Sequence, residues 1–155
     1  MNIPYEIREL AQLDTASENE ILEIWEKALK ASHDFFSDCD TEIRIKKTRV
    51  REDLHQLALV CVYVDNEMKG FAGISGDELK MLYVHPEWQG KGIGRSLTTY
   101  SKQNYKIRYL DVYAQNKQAV GFYERMNFTC YEKTSKPDAA GKSLPVLHMK
   151  MVPHD

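Results

Sequence analysis

The chain has 155 residues, of which 43% are hydrophobic and 28% charged, and its formal net charge is −2. This length and composition suit a soluble globular protein with one domain over residues 1–155, and the small negative charge gives no electrostatic reason to expect a nucleic-acid partner. No apolar stretch approaches the roughly 20 residues that span a bilayer, and the amino terminus lacks the organisation of a signal peptide, so no membrane partner is expected.

The amino-terminal part predicts a strand followed by an amphipathic helix. Alternation of apolar and polar residues over 5–10 is typical of a strand. Ser17 followed by Glu20 fits a capping box, and apolar residues at helical spacing extend the helix to about Ala31. The segment 32–37, with a histidine and two adjacent phenylalanines, interrupts the helix. Two interpretations stay open: a helix–helix turn pinned by the Phe side chains, or a loop that faces a substrate.

The next part predicts a second helix and three strands. Residues 41–54 form a highly charged, weakly amphipathic segment, and its basic side chains are expected to face solvent. The β-rich runs 58–64 and 68–74 flank a short polar turn and predict a hairpin. A further turn leads into an apolar strand at 78–84.

The stretch after that strand is the most informative one in the chain. A proline ends the strand, three glycines follow at positions 90, 92 and 94, and a helical pattern then runs to about Asn104. Glycines allow the backbone to approach a ligand closely, and the unpaired N–H groups at a helix start suit an anion such as phosphate. Lys91 and Arg95 add positive charge beside this turn.

The spacing of the loop residues narrows the kind of phosphate ligand. A dinucleotide-binding Gly-x-Gly-x-x-Gly pattern fails because position 95 is Arg, and a P-loop fails because Gly92 follows Lys91. The pattern Gln-x-x-Gly-x-Gly is matched by Gln89, Gly92 and Gly94. It resembles the acetyl-CoA pyrophosphate loop of the GNAT superfamily of N-acetyltransferases.

A second signature of the same superfamily follows a predicted strand at 109–113. The pattern Asn-x-x-Ala-x-x-Phe-Tyr is matched by Asn116, Ala119, Phe122 and Tyr123. Asn116 is also a good helix N-cap. Asn127 stands where the superfamily usually has Gly, and Asn tolerates the left-handed conformation.

The carboxy-terminal part predicts strands at 128–132 and 145–151, joined by a loop at 136–142. The element order is therefore β-α-α-β-β-β-α-β-α-β-β, the order of GNAT folds. We expect an α/β protein with a central mixed sheet of about seven strands flanked by about four helices. The small bacterial YjaB-like members, which have a His-Asp-Phe segment after the first helix, are the most similar group.

The resemblance implies acetyl-CoA as the acyl donor. The strand before the loop would hold the pantetheine through its backbone, and the loop would hold the pyrophosphate. The residues implied for cofactor binding are Leu82, Tyr83, Val84, Gln89, Gly90, Lys91, Gly92, Ile93, Gly94, Arg95, Asn116 and Tyr123.

The resemblance also implies catalytic roles. Tyr123 matches the tyrosine that protonates the departing thiolate; the alternative is a core aromatic on the helix stripe. Glu78 opens the central strand, where GNAT enzymes often place a carboxylate base, although YjaB-like proteins tend to have His there; the alternative is a surface residue. His33 is the other candidate for the base. His148 is a weaker candidate, and His85 is expected to belong to the turn.

Cysteine and metal chemistry are not expected to contribute. Cys39, Cys61 and Cys130 are widely spaced, which predicts reduced thiols and a cytoplasmic protein rather than disulfides or a zinc site. Cys61 lies in an apolar run and is expected to pack in the core, with a nucleophilic cysteine as the alternative. No His or carboxylate spacing fits a metal site.

The predicted activity is transfer of the acetyl group of acetyl-CoA to a primary amine, by direct attack within a ternary complex. The acceptor is a small molecule or a protein. Another acyl donor or an O-linked acceptor stays open, and the alternative class is a non-catalytic CoA-binding sensor with the same fold. Small GNAT proteins are commonly dimers, so a homodimer is compatible with these expectations.

Overall fold

Residues 5–153, which the computed structural model describes, form seven strands and four α-helices in the expected order. The elements are β1 (Glu6–Leu10), α1 (Thr15–Ser32), α2 (Cys39–Leu54), β2 (Ala58–Val64), β3 (Glu67–Ser75), β4 (Glu78–Val84), α3 (Ile93–Tyr105), β5 (Tyr109–Tyr113), α4 (Lys117–Arg125), β6 (Phe128–Pro137) and β7 (Ser143–Met151). The strands make one sheet in the order β1-β2-β3-β4-β5-β7-β6. The predicted α/β architecture with a mixed sheet is confirmed.

The junction between β4 and β5 is the feature that creates a site. These two strands run parallel, and their register pairs Glu78 with Tyr109 and Leu79 with Leu110. Within the described strands the pairing stops there, although β4 continues to Val84. The two strands therefore diverge and leave an opening in the middle of the sheet, flanked by backbone groups of β4 that no neighbouring β5 residue pairs with.

Two apolar layers cover the faces of the sheet. α1 and α2 lie on one face, where Trp25 and Ile43 are buried. α3 and α4 lie on the other face, where Ile93, Leu97 and Tyr123 are buried. Burying one such side chain stabilises the fold by about 1.5–3 kcal/mol, so the two layers hold the helices firmly on either side of the opening.

Several element boundaries differ from the sequence-based expectation. The capping box at Ser17 and Glu20 is wrong: α1 begins at Thr15, because the carboxylate of Asp14 accepts the N–H of Ser17 at 2.7 Å and caps the helix earlier. The strands β6 and β7 are also longer than predicted. The loop between them shrinks to residues 138–142, since the paired strands continue further before the chain turns.

The connection between α1 and α2 is a packed turn. Phe35 and Phe36 are both buried, as expected for a pinned helix–helix turn, while Ser32 and His33 at the start of the same segment line a cavity, so both interpretations hold for different residues. Asp138 of the β6–β7 turn accepts the N–H of Ser37 at 3.0 Å and the N–H groups of Ala140 and Lys142, and these backbone hydrogen bonds lower the pKa of its carboxyl group to about 2. Glu42 of α2 accepts the N–H of Ala139. The turn is therefore tied to the far end of the sheet.

The three cysteines are free thiols. Cys61 is fully buried in β2, and burial raises the pKa of its thiol to about 12. It therefore stays a thiol rather than a nucleophilic thiolate, and the expected role in core packing is confirmed.

Candidate functional site

A cavity of about 260 Å³ extends from the opening beside β4 along the start of α3 and across to α4; we call it the β4–α3 groove. Its lining residues are Ala28, Ser32, His33, Leu82, Tyr83, Val84, Trp88, Gln89, Gly90, Gly92, Ile93, Gly94, Arg95, Asn116, Gln118, Ala119, Phe122, Tyr123 and Arg125. The set includes all the residues predicted to bind the cofactor except Lys91. The ammonium of Lys91 lies over the ring of Trp88 instead, 5.2 Å from its centroid.

The glycine-rich loop adopts the backbone that its sequence predicts. Gly90 and Gly92 have φ values of +75° and +86°, a region that favours glycine. Gly92 is the N-cap of α3 and offers no side-chain hydrogen bond to the helix, so the N–H groups of the first turn are left for a ligand. Together with the helix dipole and the guanidinium of Arg95, they make this end of the groove favourable for an anion.

Local hydrogen bonds fix the path of the loop. The amide of Gln89 donates to the carbonyl of Val84 at 3.3 Å and folds the loop back on the end of β4. His85 Nδ1 accepts the N–H of Glu87 at 3.1 Å, which confirms its expected role in the turn. The hydroxyl of Tyr5 donates to the carbonyl of Lys91. These hydrogen bonds, from the loop itself and from Tyr5, hold the loop in place without a ligand.

Tyr123 lies on α4 with its side chain buried against the groove. Its ring packs edge-on against Phe122 and Phe128. Burial raises the pKa of the Tyr123 phenol well above its usual range, and the neighbouring Tyr83 adds to the shift. The phenol therefore remains protonated and able to donate a hydrogen bond or a proton. Asn116 caps the same helix, as predicted, by accepting the N–H of Ala119 at 3.3 Å.

His33 follows the last residue of α1 and lines the inner end of the groove. Its ring stacks on Phe36, with centroids 5.6 Å apart and an interplanar angle of 11°, and it contacts Phe35 and the edge of Tyr113. Burial in this aromatic setting, together with the charge of Lys46, lowers the pKa of His33 to about 4. His33 is therefore neutral at neutral pH.

The lowered pKa of His33 predicts a pH dependence of stability. Since the folded-state pKa lies below the ordinary value of 6.5, the unfolded chain binds this proton first as the pH falls. We expect the free energy of unfolding of the wild type to fall more steeply than that of His33→Gln between pH 6.5 and about 4. Urea unfolding of both proteins across this range measures the difference. Parallel curves would contradict the prediction.

Glu78 does not line the β4–α3 groove. It belongs to a separate, open concavity of about 300 Å³, which we call the acidic concavity, lined by Glu78, Tyr109, Asp111, Tyr131 and His148. Alternate residues of a strand face the same side, so Tyr109, Asp111 and Tyr113 of β5 share one face. Tyr113 contacts the ring of His33, so the acidic concavity begins about 7 Å along β5 from the inner end of the groove.

A chain of hydrogen bonds crosses the acidic concavity. His148 Nδ1 lies 2.7 Å from Asp111 Oδ1, and His148 Nε2 lies 2.7 Å from the hydroxyl of Thr134. The antiparallel register of β5 and β7 pairs Asp111 with His148. The sequence alone marks His148 only as a weaker candidate for the base and does not indicate Asp111 as a site residue. Only the strand order β5-β7-β6 brings their separated segments together.

Gly94 offers a way to separate stability from ligand binding. It lies in the first turn of α3, and an added Cβ would meet Phe122 at 3.5 Å and Val84 at 3.9 Å, which are ordinary contacts with two groove residues. Alanine favours a helix over glycine by up to about 1 kcal/mol. We therefore expect Gly94→Ala to keep or raise Tm. We also expect it to lower the affinity for acetyl-CoA about tenfold, or about 1.4 kcal/mol, because the added methyl group lies between two residues that line the groove.

The matched control is Gly121→Ala on α4. There, the added Cβ would meet only the guanidinium of Arg125 at 3.3 Å, the far end of a flexible side chain that lines the groove and can give way, and Gly121 itself does not line the groove. Calorimetric titration of both variants with acetyl-CoA makes the comparison. Equal affinities for the two would rule out a ligand that passes close to Gly94.

Residues 5–153 contain neither a candidate metal site nor a candidate membrane span. Among residues 5–153, no group of three or more His, Cys, Asp or Glu side chains could hold a metal ion. No helix of the described chain has the length and apolar character needed to cross a membrane.

Comparison with known proteins connects this geometry to a family. A family model described as an acetyltransferase (GNAT) domain matches residues 15–153. The peptidyl-lysine N-acetyltransferase YjaB of Escherichia coli is 33% identical over 135 residues, covering 86% of this chain and 89% of that protein. The solution structure of apo YjaB from the same organism superposes with a TM-score of 0.78, at 27% identity and over 97% of this chain and 99% of that one.

A more distant solved structure shares the fold. The PaiA N-acetyltransferase of Thermoplasma acidophilum, in complex with coenzyme A, superposes with a TM-score of 0.72 at 20% identity. The match covers 96% of this chain and 98% of that chain. The mixed sheet and its flanking helices are therefore those of solved N-acetyltransferases.

Proposed function

Since the chain belongs to the GNAT acetyltransferase family, we propose that it transfers the acetyl group of acetyl-CoA to the side-chain amine of a lysine in a protein or peptide. The observation that carries this proposal is a single groove that joins an anion-binding helix start to a buried tyrosine and a buried neutral histidine. An acyl-CoA suits such a groove, because the length of the pantetheine arm separates its pyrophosphate from its thioester.

The donor occupies the β4–α3 groove in this proposal. The pyrophosphate lies at Gly90–Arg95 and receives hydrogen bonds from the first N–H groups of α3. The pantetheine lies along β4 in the opening toward β5, where the backbone of Leu82, Tyr83 and Val84 can pair with its amides as a strand would. A backbone N–H of this segment polarises the thioester carbonyl and stabilises the oxyanion that forms on it.

Tyr123 is the proposed general acid. The amine nitrogen forms a bond to the thioester carbon, the carbon–sulfur bond then breaks, and the phenol gives its proton to the leaving thiolate. The buried Tyr123 phenol stays protonated until that step, because burial raises its pKa. Acid catalysis of this kind contributes about 10²–10⁴-fold in rate. Direct attack in a ternary complex is favoured because the groove lining includes none of the three cysteines.

The acceptor approaches from the acidic concavity. Lysine carries a positive charge at neutral pH, since its ordinary pKa is about 10.4. The carboxylates of Glu78 and Asp111 attract that charge, and the rings of Tyr109 and Tyr131, whose centroids are 6.1 Å apart, offer faces for a cation. The acceptor class follows from this chemistry and from the activity named for the YjaB relative.

The amine must lose a proton before it attacks, and Glu78 is the proposed base. Its side chain is 30% exposed and forms an ion pair with Lys80 at 3.1 Å, so a proton that it takes up can pass on to water. His33, the other candidate, is buried with 7% exposure and has no comparable route to solvent. We therefore assign proton removal to Glu78, acting through intervening water, rather than to His33.

The experiment is an acetylation assay with matched peptides. The protein is incubated with acetyl-CoA and a peptide that contains one lysine and a blocked amino terminus, or with the same peptide carrying norleucine in place of lysine. We expect thiol release and one added acetyl group with the lysine peptide alone. Glu78→Gln should lower kcat/KM at least tenfold, whereas Glu52→Gln, an exposed change on α2, should not.

Two results would count against the proposal. Equal thiol release with both peptides would mean that lysine is not the acceptor. Binding of acetyl-CoA without transfer to any amine would instead support the alternative of a CoA-binding sensor.

A further inference from the structure

Ser32, the last residue of α1, sits between two partners that compete for its single proton. Its hydroxyl oxygen lies 2.7 Å from the carbonyl oxygen of Ala28, one turn back in the helix, and 2.7 Å from Nδ1 of His33. A carbonyl oxygen can only accept a hydrogen bond. The hydroxyl proton of Ser32 therefore points at Ala28, and the hydroxyl oxygen is left with lone pairs toward His33.

This arrangement fixes the tautomer of His33. A neutral imidazole has one N–H and one bare nitrogen, and which nitrogen carries the proton is set by its hydrogen-bond partner. Because the Ser32 hydroxyl has given its proton to the Ala28 hydrogen bond, its oxygen can only accept from His33. Nδ1 of His33 must therefore be the N–H donor. Nε2 is then the bare nitrogen and can accept one hydrogen bond. In the described part of the chain, no group donates to it.

The surroundings of the ring keep it in this form. Phe35, Phe36 and Tyr113 enclose it on three sides, and Lys46 of α2 holds its ammonium over the rings of Phe36 and Tyr113, 4.8 Å and 5.7 Å from their centroids. A positive charge this close opposes a second positive charge on His33. The charge of Asp34, in the same turn, acts in the opposite direction but more weakly than burial.

We propose that Ser32 is a positioning residue, which holds His33 as the Nδ1–H tautomer so that Nε2 accepts one N–H of the acceptor amine at the inner end of the β4–α3 groove. Ser32, His33 and Tyr123 all line that groove. The inference rests on the proposed function, because it assigns to His33 a role in orienting the lysine amine that attacks the thioester.

The chemical reason concerns the lone pair of the amine. A neutral primary amine has two N–H groups and one lone pair, and the lone pair must point at the thioester carbon. If Nε2 accepts an N–H, the lone pair remains free to attack. If His33 carried its proton on Nε2 instead, that N–H would donate to the amine lone pair and hold the nucleophile in an unproductive orientation.

The test combines a spectrum and a rate on three proteins: the wild type, Ser32→Ala and Ser32→Thr. Two-bond ¹H–¹⁵N correlation spectra of histidine-labelled protein, recorded without substrate, report which ring nitrogen of His33 carries hydrogen. We expect Nδ1–H in the wild type and in Ser32→Thr, which keeps a hydroxyl. Ser32→Ala should show a substantial share of Nε2–H, because it removes the acceptor of the Nδ1 hydrogen.

The kinetic result should follow the tautomer. Losing one orienting hydrogen bond is expected to lower kcat for the lysine peptide about tenfold in Ser32→Ala, with KM for acetyl-CoA changed less than about twofold. Ser32→Thr should keep kcat near the wild-type value, because it retains the hydroxyl. A merely structural role for Ser32 would not move the tautomer and would change both kinetic constants together.

Two outcomes would overturn the inference: a wild-type spectrum that shows Nε2–H, or a Ser32→Ala protein with unchanged tautomer and kcat. Failure of the proposed function is distinguishable. A wild type that transfers no acetyl group would refute the function, while the substrate-free spectra would still decide whether Ser32 sets the tautomer.

Discussion

Replacing Tyr123 with Phe is expected to lower kcat about 10²–10⁴-fold while leaving the affinity for acetyl-CoA almost unchanged. The substitution removes one hydroxyl and keeps the ring that packs against Phe122 and Phe128, so the fold and the groove should persist. Without the phenol, the thiolate must leave unprotonated or take its proton from water. Steady-state rates with the lysine peptide, together with calorimetric titration of acetyl-CoA, separate the two effects.

The control for this prediction is Tyr63→Phe. Tyr63 is also buried, on β2 in the layer beneath α1 and α2, and it does not line the groove. Its loss of a hydroxyl should leave kcat within about twofold of the wild type. If Tyr123→Phe behaves like this control, then Tyr123 is a core aromatic and another group protonates the thiolate.

Reversing the charge at Arg95 is expected to weaken acetyl-CoA binding about 100-fold. Arg95 lies in the first turn of α3 and lines the groove beside the glycine loop. A hydrogen bond to a charged group contributes about 1.5–3 kcal/mol, and Arg95→Glu both removes it and places a carboxylate against the pyrophosphate. The loss should shrink as salt is added, because salt screens exposed charges. Calorimetric titration at two salt concentrations measures both effects.

The control for this prediction is Arg49→Glu, which changes the net charge of the protein by the same amount at a residue that does not line the groove. The side chain of Arg49 on α2 is 86% exposed, and it is paired only loosely, at 4.0 Å, with Asp53. Its reversal should leave acetyl-CoA affinity within about twofold of the wild type. Equal losses in the two variants would indicate a general effect of net charge rather than a pyrophosphate site at the loop.

The parts that sequence predicts well are those determined by local backbone chemistry. The loop is an example, because glycines at 90 and 92 have positive φ in the structure and a helix begins directly after them. Asn116 caps α4, and Asn127 adopts φ of +72° where the superfamily usually has glycine. Each of these outcomes depends on a few neighbouring residues, so a short motif is enough to predict it.

The parts that sequence predicts poorly depend on contacts between distant segments. Asp111 and His148 meet because β7 inserts between β5 and β6, a strand order that no local pattern reveals. The separation of Glu78 from the groove has the same origin, because it follows from where β4 and β5 cease to pair. The N-cap of α1 is a different case: residues 14–17 form a capping region in which Asp14 and Ser17 are both good caps, and only geometry decides between them.

The most direct test of a CoA site in the β4–α3 groove is a calorimetric titration of the purified wild-type protein with acetyl-CoA and, separately, with CoA. We predict a single site per chain for each ligand, and stabilisation of the fold by about 2.7 kcal/mol when the ligand is present at 100 times its Kd. No heat of binding and no rise in Tm with acetyl-CoA up to about 1 mM, the top of the usual range of KM, would contradict a CoA site in this groove.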